Sequence, residues 1–446
     1  MDLDSSLTSV SVLGAAGKMG SGIALLVAQE MARLSLLPQH RDKVFRLNAI
    51  DLDAKGLRGL QQYIHDQALK AAEKAAVELR GLYAERADLV DNRDMIAEFT
   101  ERVQSMLWPS TELGAARGSL LVFEAIVEKI PVKVSVLRQT KELCPADACF
   151  FTNTSSVPIG LLDREAGLGG RLLGVHFYNP PAVQKLVEII RAESTREEVA
   201  AAAAEMCKRL RKTVIPSRDV AGFIGNGHFI RDGLHGLRSS ERLAAEHGWP
   251  KALHMVNRVS QDWLLRPMGI FQLVDYVGID VFKLIQDVME QHLKEGLGHP
   301  VIDELVRRGV LGGQNPDGSQ KPGFLRYERG KPSAVYDLDK REYVALDPQG
   351  WTGEADRQLG PLPAGFRPWK ALVGVPDREA ALRRHFELLA AGGGPGAELA
   401  RSYVRRSREI GLGLVERGVA AKAEDVNGVL TSGFFHLYGP INDYCR

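Results

Sequence analysis

Three short segments gather polar side chains just after apolar, strand-like runs: Thr152–Ser156 (TNTSS), His176–Pro180 (HFYNP) and Lys185–Glu188 (KLVE). Histidine takes and returns a proton near neutral pH, because its ordinary pKa is near 6.5. A carboxylate on its other ring nitrogen fixes the tautomer and stabilises the imidazolium. His176 and Glu188 are the candidates for such a pair. Their spacing joins the ends of two neighbouring strands through a short loop. Ser155, and Asn226 in a fourth segment, Asp219–Asn226 (DVAGFIGN), offer neutral donors for oxygens. The set suits moving a hydroxyl proton. Each residue also has a plainer reading. The histidine can be a structural hydrogen-bonder and Glu188 a strand-end charge. Asn153, Thr154 and Ser155 can make a turn or cap a helix, and Asn226 can bridge helices.

A second constellation lies near the start. The strand Ser9–Leu13 meets GAAGKMG, residues 14–20, and then the helical stretch Ser21–Ala28. A glycine turn between strand and helix lets backbone approach a pyrophosphate, whose charge the helix N-terminus favours. The spacing is GxxGxxG, one residue longer than GxGxxG. Gly14, Gly17, Lys18, Met19 and Gly20 are the cofactor-binding candidates. A second strand, Arg46–Ile50, ends on Asp51, which can accept both ribose hydroxyls, with Asp53 as the fallback. A carboxylate there repels a 2′-phosphate, so NAD is expected rather than NADP. The interval to Asp51 is about ten residues longer than the usual ~20, and the stretch 33–46 reads as an insertion. A nicotinamide that takes hydride and a histidine that takes the proton together oxidise a secondary alcohol.

The elements that must hold these groups follow from the apolar runs. Strand-like segments recur at 119–126, 148–152, 172–177 and 186–190, with helical stretches between, and 54–117 is charge-rich and helix-prone. Alternation of this kind predicts an α/β fold with a doubly wound Rossmann-type parallel sheet, whose strand carboxyl ends face the ligand crevice. Beyond Arg211–Asp219, helical patterns dominate, so all-helical domains are expected. Glycine and proline cluster over 311–365. The expected division is therefore 1–216, a dinucleotide-binding domain with a helical insert; 217–345, a helical closure domain; and 346–446, a second helical unit. A shift of 170 residues aligns Gly227–Ile270 with Ala397–Pro440, matching Arg231 to Arg401, Asn257 to Asn427 and Gly269 to Gly439. The last segment thus reads as a repeat of the helical domain.

The four polar segments, with Glu124–Lys129 (EAIVEK), Lys133 and Pro267–Gly278 (PMGIFQLVDYVG), resemble the L-3-hydroxyacyl-CoA dehydrogenase family, whose members carry SNTSS, HFFNP, KLVE and PGFIxNR stretches. The similarity covers roughly 9–330. It implies an NAD-dependent interconversion of (S)-3-hydroxyacyl-CoA and 3-oxoacyl-CoA in fatty-acid metabolism and β-oxidation. It gives Ser155, His176, Glu188 and Asn226 the family's catalytic roles, with Ser155, Asn179 and Asn226 on the substrate. It sets Asn153, Glu128 and Lys133 beside the cofactor, lets Asn179 and Pro180 shape the pocket, and brings the 54–117 insert, with Lys55, Arg58, Lys70 and Lys74, towards the CoA end. The helical domains are implied to mediate a homodimer or an internal pseudo-dimer. Departures are Gly227 where the family has Arg, Ala221 where it has Pro, and the longer glycine turn. Two other readings keep the fold: a dehydrogenase of a free hydroxy acid or sugar acid, and a nucleotide-binding relative without catalysis.

Composition narrows the rest. Lys+Arg number 57 against Asp+Glu 56, so charge gives no footprint for nucleic acid. No run reaches 18 apolar residues, and no membrane association is expected. Cys144, Cys149, Cys207 and Cys445 form no CxxC pair, so neither disulfides nor a metal site are expected, and a reducing cytoplasm is the expected compartment. His228 and His235 share a helix seven residues apart but lack a third ligand, so packing is their expected role.

Overall fold

The computed structural model describes residues 2–315 and 318–444, so Cys445 lies outside them. The chain divides into two compact units, Met1–Asp219 and Val220–Arg446.

The first unit is built on eight strands: β1 (Ser9–Leu13), β2 (Arg46–Ile50), β3 (Leu107–Ser110), β4 (Leu121–Glu124), β5 (Cys149–Thr152), β6 (Leu172–Phe177), β7 (Leu186–Arg191) and β8 (Thr213–Arg218). They lie in the order β3-β2-β1-β4-β5-β6-β7-β8. β4, β5 and β6 are buried along their whole length, as continuous apolar runs covered on both faces require. Helices α1 (Lys18–Ser35), α2 (Ala54–Lys74), α3 (Ala76–Leu82), α4 (Asn92–Ser105), α5 (Ile130–Leu143), α6 (Ile159–Ala166) and α7 (Glu197–Arg209) connect the strands. The stretch 33–46 completes α1 and turns at Pro38–His40, where the buried His40 ring meets Asp4 at 3.0 Å.

The sheet departs from the expected all-parallel form at one place. β6 and β7 are antiparallel, with His176 directly opposite Glu188. Only residues 178–185 join them, too few for the crossover helix that a parallel pair needs. β3 and β8 escape the hydrophobic pattern because each is an edge strand holding a proline, Pro109 and Pro216.

The second unit contains α8 (Gly225–His247), α9 (Trp249–Arg258), α10 (Ile270–Val277), α11 (Ile279–Leu293), α12 (Pro300–Arg307), α13 (Trp351–Leu359), α14 (Arg378–Ala391), α15 (Pro395–Glu416) and α16 (Ala423–Gly433). It is not wholly helical. An antiparallel sheet of β9 (Leu325–Glu328), β10 (Lys331–Asp337) and β11 (Glu342–Ala345) occupies the glycine- and proline-rich region. Asp275 anchors it, accepting from the Phe324 and Leu325 amides at 2.6 and 2.9 Å. Phe386, Tyr403 and Leu437 share one apolar core with Phe271, Trp263 and Leu234. Residues beyond 346 therefore complete the same unit instead of forming a separate one.

The 170-residue correspondence has a structural counterpart. Asn257 Oδ1 accepts from the Phe271 amide at 3.1 Å, and Asn427 Oδ1 accepts from the Ile441 amide at 3.0 Å. A Cβ on Gly269 or on Gly439 would come within 2.2 Å of the respective carboxamide oxygen. α8 and α15 are each followed by a glycine of positive φ, Gly248 and Gly418.

Candidate active site

The glycine turn sits where β1 ends. Gly14 has φ +79°, and a Cβ there would lie 2.5 Å from the Ala125 carbonyl oxygen. A Cβ on Gly20 would lie 2.0 Å from the Gly14 carbonyl oxygen, so this glycine lets α1 seat against the turn. Gly17 is the N-cap of α1 and supplies no side-chain cap. The first turn of α1 thus presents backbone N–H groups and the positive end of the helix dipole, with Lys18 beside them. Burial lowers the Lys18 pKa.

Asp51 follows β2. Its Oδ2 accepts from the Ala16 amide at 2.9 Å and its Oδ1 from the Asp53 amide at 3.0 Å, which aims the carboxylate across the turn. Asp53, the fallback, instead caps α2 through the Lys55 amide. A cavity of about 580 Å³ opens here. Gly14, Gly17, Asp51, Leu52, Val127 and Gln139 are among its walls. Leu52 is 92 % exposed and Val127 59 %, so apolar surface is laid out where a flat, apolar ring can lie. Glycines whose Cβ space is taken, a helix N-terminus and an acid beyond the second strand are the donor set an adenine dinucleotide requires. The residues present fit NAD.

The TNTSS segment is held from below by a buried charge network. Lys133 Nζ lies 2.8 Å from Glu124 Oε1 and 3.0 Å from Glu128 Oε2. Burial opposes this ammonium, but the two carboxylates outweigh it and hold its pKa above the ordinary value. Burial likewise opposes charge on Glu128, while Lys133 and the Thr154 hydroxyl keep its carboxyl below the usual range. Glu128 Oε1 accepts from the Thr154 hydroxyl (2.5 Å) and from the amides of Ser155 (2.8 Å) and Ser156 (3.2 Å). Ser155 Oγ lies 3.4 Å from the same oxygen. Thr152 donates to Glu124 Oε2 at 2.6 Å.

Glu128, Lys133 and Asn153, which the resemblance sets beside the cofactor, also hold this loop together. Lys133 is 1 % exposed and engaged by two carboxylates, so it braces the loop from inside. Asn153 Oδ1 accepts from the Phe177 amide at 2.8 Å, tying the end of β5 to the residue after His176. Glu124 and Thr152 stood in the sequence only as ends of quoted segments, and Thr154 only as a turn or cap residue, none with this bracing role. Glu124 ends an apolar strand, which gave the one available signal.

His176 and Glu188 meet across the β6–β7 pair. His176 Nδ1 is 3.3 Å from Glu188 Oε1, with the histidine side chain 9 % and the glutamate side chain 0 % exposed. Glu188 is the third residue of β7, not a strand-end charge. Tyr178 Oη donates to the same Oε1 at 2.7 Å. Burial first, and then Glu188, raise the Tyr178 phenol well above its ordinary pKa. The connection carrying Tyr178, Asn179 and Pro180 is clamped by Lys212, whose Nζ donates to the Pro181 and Gln184 carbonyls at 2.5 and 2.7 Å. Burial pushes Lys212 down to about 8. On its other side Pro181 packs on α1, where a Cβ on Gly22 would be 2.9 Å from the proline ring. Asn226 lies in the first turn of α8, in the second unit. His228 of the same helix is buried and 3.0 Å from Ser407 Oγ. Among the described residues no helix is long and apolar enough to cross a membrane.

Known proteins share this plan. Residues 9–220 match the model of the 3-hydroxyacyl-CoA dehydrogenase NAD binding domain, and 252–321 match that of the 3-hydroxyacyl-CoA dehydrogenase C-terminal domain. A protein named "Probable 3-hydroxyacyl-CoA dehydrogenase" of Caenorhabditis elegans is 28% identical over 333 residues, covering 72% of this chain and 97% of that one. The crystal structure of FadB2 of M. tuberculosis covers 72% of this chain and 99% of its own, at 28% identity and a TM-score of 0.55. The 3-hydroxybutyryl-CoA dehydrogenase of Escherichia coli, at 22% identity, covers 98% of this chain and 90% of its own with a TM-score of 0.62. That likeness shows that the fold extends through the C-terminal segment. With both domain models matched in order around an NAD-fitting turn, the chain belongs to the 3-hydroxyacyl-CoA dehydrogenase family of NAD-dependent oxidoreductases.

Proposed function

We propose that this chain interconverts (S)-3-hydroxyacyl-CoA and 3-oxoacyl-CoA, with His176 as the general base and acid, in fatty-acyl-CoA metabolism. The observation that carries the reading is the buried 3.3 Å approach of His176 Nδ1 to Glu188. With Nδ1 facing the carboxylate, Nε2 is the atom proposed to exchange a proton with substrate. When bound on the Gly14–Gly20 turn, NAD supplies the hydride acceptor.

In the oxidative direction the C3 hydroxyl loses its proton to His176 Nε2 as the carbonyl forms. Glu188 stabilises the imidazolium so produced, without itself taking the proton. In the reductive direction the same imidazolium returns the proton to the new alkoxide. Ser155, whose backbone Glu128 fixes, is the donor proposed for the C3 oxygen. Asn226 is proposed for the same oxygen on its motif alone, and Asn179 for the pocket wall. Asp51 is proposed as the ribose acceptor, with Gly17, Lys18 and Met19 at the pyrophosphate.

NADH oxidation with acetoacetyl-CoA and with longer 3-oxoacyl-CoAs tests the reading. Turnover with at least one thioester is expected. No turnover at any chain length, or faster turnover of a free hydroxy acid, overturns it.

A further inference from the structure

The HFFNP stretch of the family has phenylalanine at its third position, where this chain has Tyr178. The added hydroxyl is not turned to solvent. It donates to Glu188 Oε1, the oxygen that also faces His176 Nδ1. The phenol ring stands 4.9 Å from the imidazole, centroid to centroid, at 40°. Residues 176 and 178 are two apart in extended chain and so reach the same face. One buried carboxylate oxygen therefore serves two donors.

We propose that Tyr178 is a positioning residue that holds Glu188 for His176 and, by sharing the carboxylate oxygen, weakens its support for the protonated imidazole. The proposal rests on the reading of His176 as the base. A donor on a carboxylate stabilises the anion and takes up part of its accepting capacity. The imidazolium then gains less from Glu188 than it would alone. Burial and the neighbouring carboxylate keep the phenol protonated, so it stays a donor through the working range. The groups facing the trio fit this assignment. β8 sets Ile215 opposite Glu188, β5 ends with Thr152 beside Gly174, and the Lys212 ammonium past Phe177 is turned to the loop carbonyls.

The test is Tyr178→Phe in the full chain, which restores the ring found in the family and removes only the hydroxyl. Two readouts are taken: the pH profile of kcat/KM for oxidation, and the NMR titration of the His176 ring in protein without substrate, assigned by its loss in His176→Asn. The expected result is an upward move of about 0.5–1 pH unit in both the acid limb and the ring titration, with KM changed less than about threefold. The same substitution made in a Glu188→Gln background is expected to move the ring titration by less than about 0.2 unit, because the carboxylate charge that the phenol tempers is gone. A folded Tyr178→Phe protein whose ring titration stays in place overturns the proposal. So does an equal shift in the Glu188→Gln background. The NMR arm needs no turnover, so it decides the role of Tyr178 even where the thioester assay fails and overturns the functional reading.

Discussion

Lys133 and Glu128 form an ion pair of 3.0 Å beneath the loop that carries Ser155, and the ammonium is 1 % exposed. Glu124 holds the same ammonium from the other side at 2.8 Å. Removing one partner leaves the others charged and buried, which is far costlier than never having placed the group there. Lys133→Met is therefore expected to destabilise the first unit by about 3–5 kcal/mol. It should also lower kcat, since the Ser155 and Ser156 amides hang on Glu128. Urea unfolding and steady-state kinetics on the same preparation check both effects. Unchanged stability would show that the network is not a brace.

Asp51 is expected to set cofactor choice. Its carboxylate is anchored by two backbone amides and faces the cavity. Asp51→Ala should weaken NAD by roughly 10–100-fold, the loss of one or two charge-assisted hydrogen bonds of about 1.5–3 kcal/mol. It should narrow the preference over NADP, because the repulsion of a 2′-phosphate is gone. Fluorescence titration with NADH and NADPH measures both. Gly20→Ala should abolish binding altogether, given the 2.0 Å approach to the Gly14 carbonyl oxygen.

The second unit is expected to be acid-sensitive through buried imidazoles. Burial pushes His228 down to about 4, and His385 is also lowered by burial. An unfolded histidine titrates near 6.5. Between those values the unfolded chain binds a proton that folded His228 does not, so stability falls as pH drops from about 6.5 through about 4. Above 6.5 the contribution is complete. The slope from each such group is at most about 1.4 kcal/mol per pH unit. His228→Gln should flatten the pH dependence of the urea midpoint below pH 6.5, and an unchanged slope would contradict the assignment.

Strands such as Ser9–Leu13, Arg46–Ile50 and Leu172–Phe177 were legible to the residue, because short apolar-rich runs bounded by turn or polar residues mark strands. The His176–Glu188 pair was legible from residue types and their order. Its antiparallel geometry was not, since apolar pattern carries no strand direction; the short connection was the only clue. The burial of Lys133 was not legible for a different reason. A lysine reads as a surface or ligand-facing charge until its two acids are found, and Glu124 looked like the tail of an apolar run. The three-stranded sheet of 325–345 was hidden because the glycine and proline clusters around it read as a boundary between helical units.

The 170-residue correspondence was legible only as scattered identities, yet Asn257 and Asn427 make the same bond to residues 14 positions on. Replacing either by alanine leaves an amide without its carboxamide acceptor. Each is expected to cost about 1–3 kcal/mol. Comparable losses in thermal or urea unfolding are the expected outcome, and a silent Asn427→Ala would show that the C-terminal segment does not depend on the bond.

The central claim is tested most directly by the single-turnover rate of His176→Ala with saturating NADH and acetoacetyl-CoA, measured beside NADH binding. The account predicts a rate lower by about 10²–10⁴-fold with NADH affinity within a factor of two or three. A variant that binds NADH and turns over at the wild-type rate would contradict it.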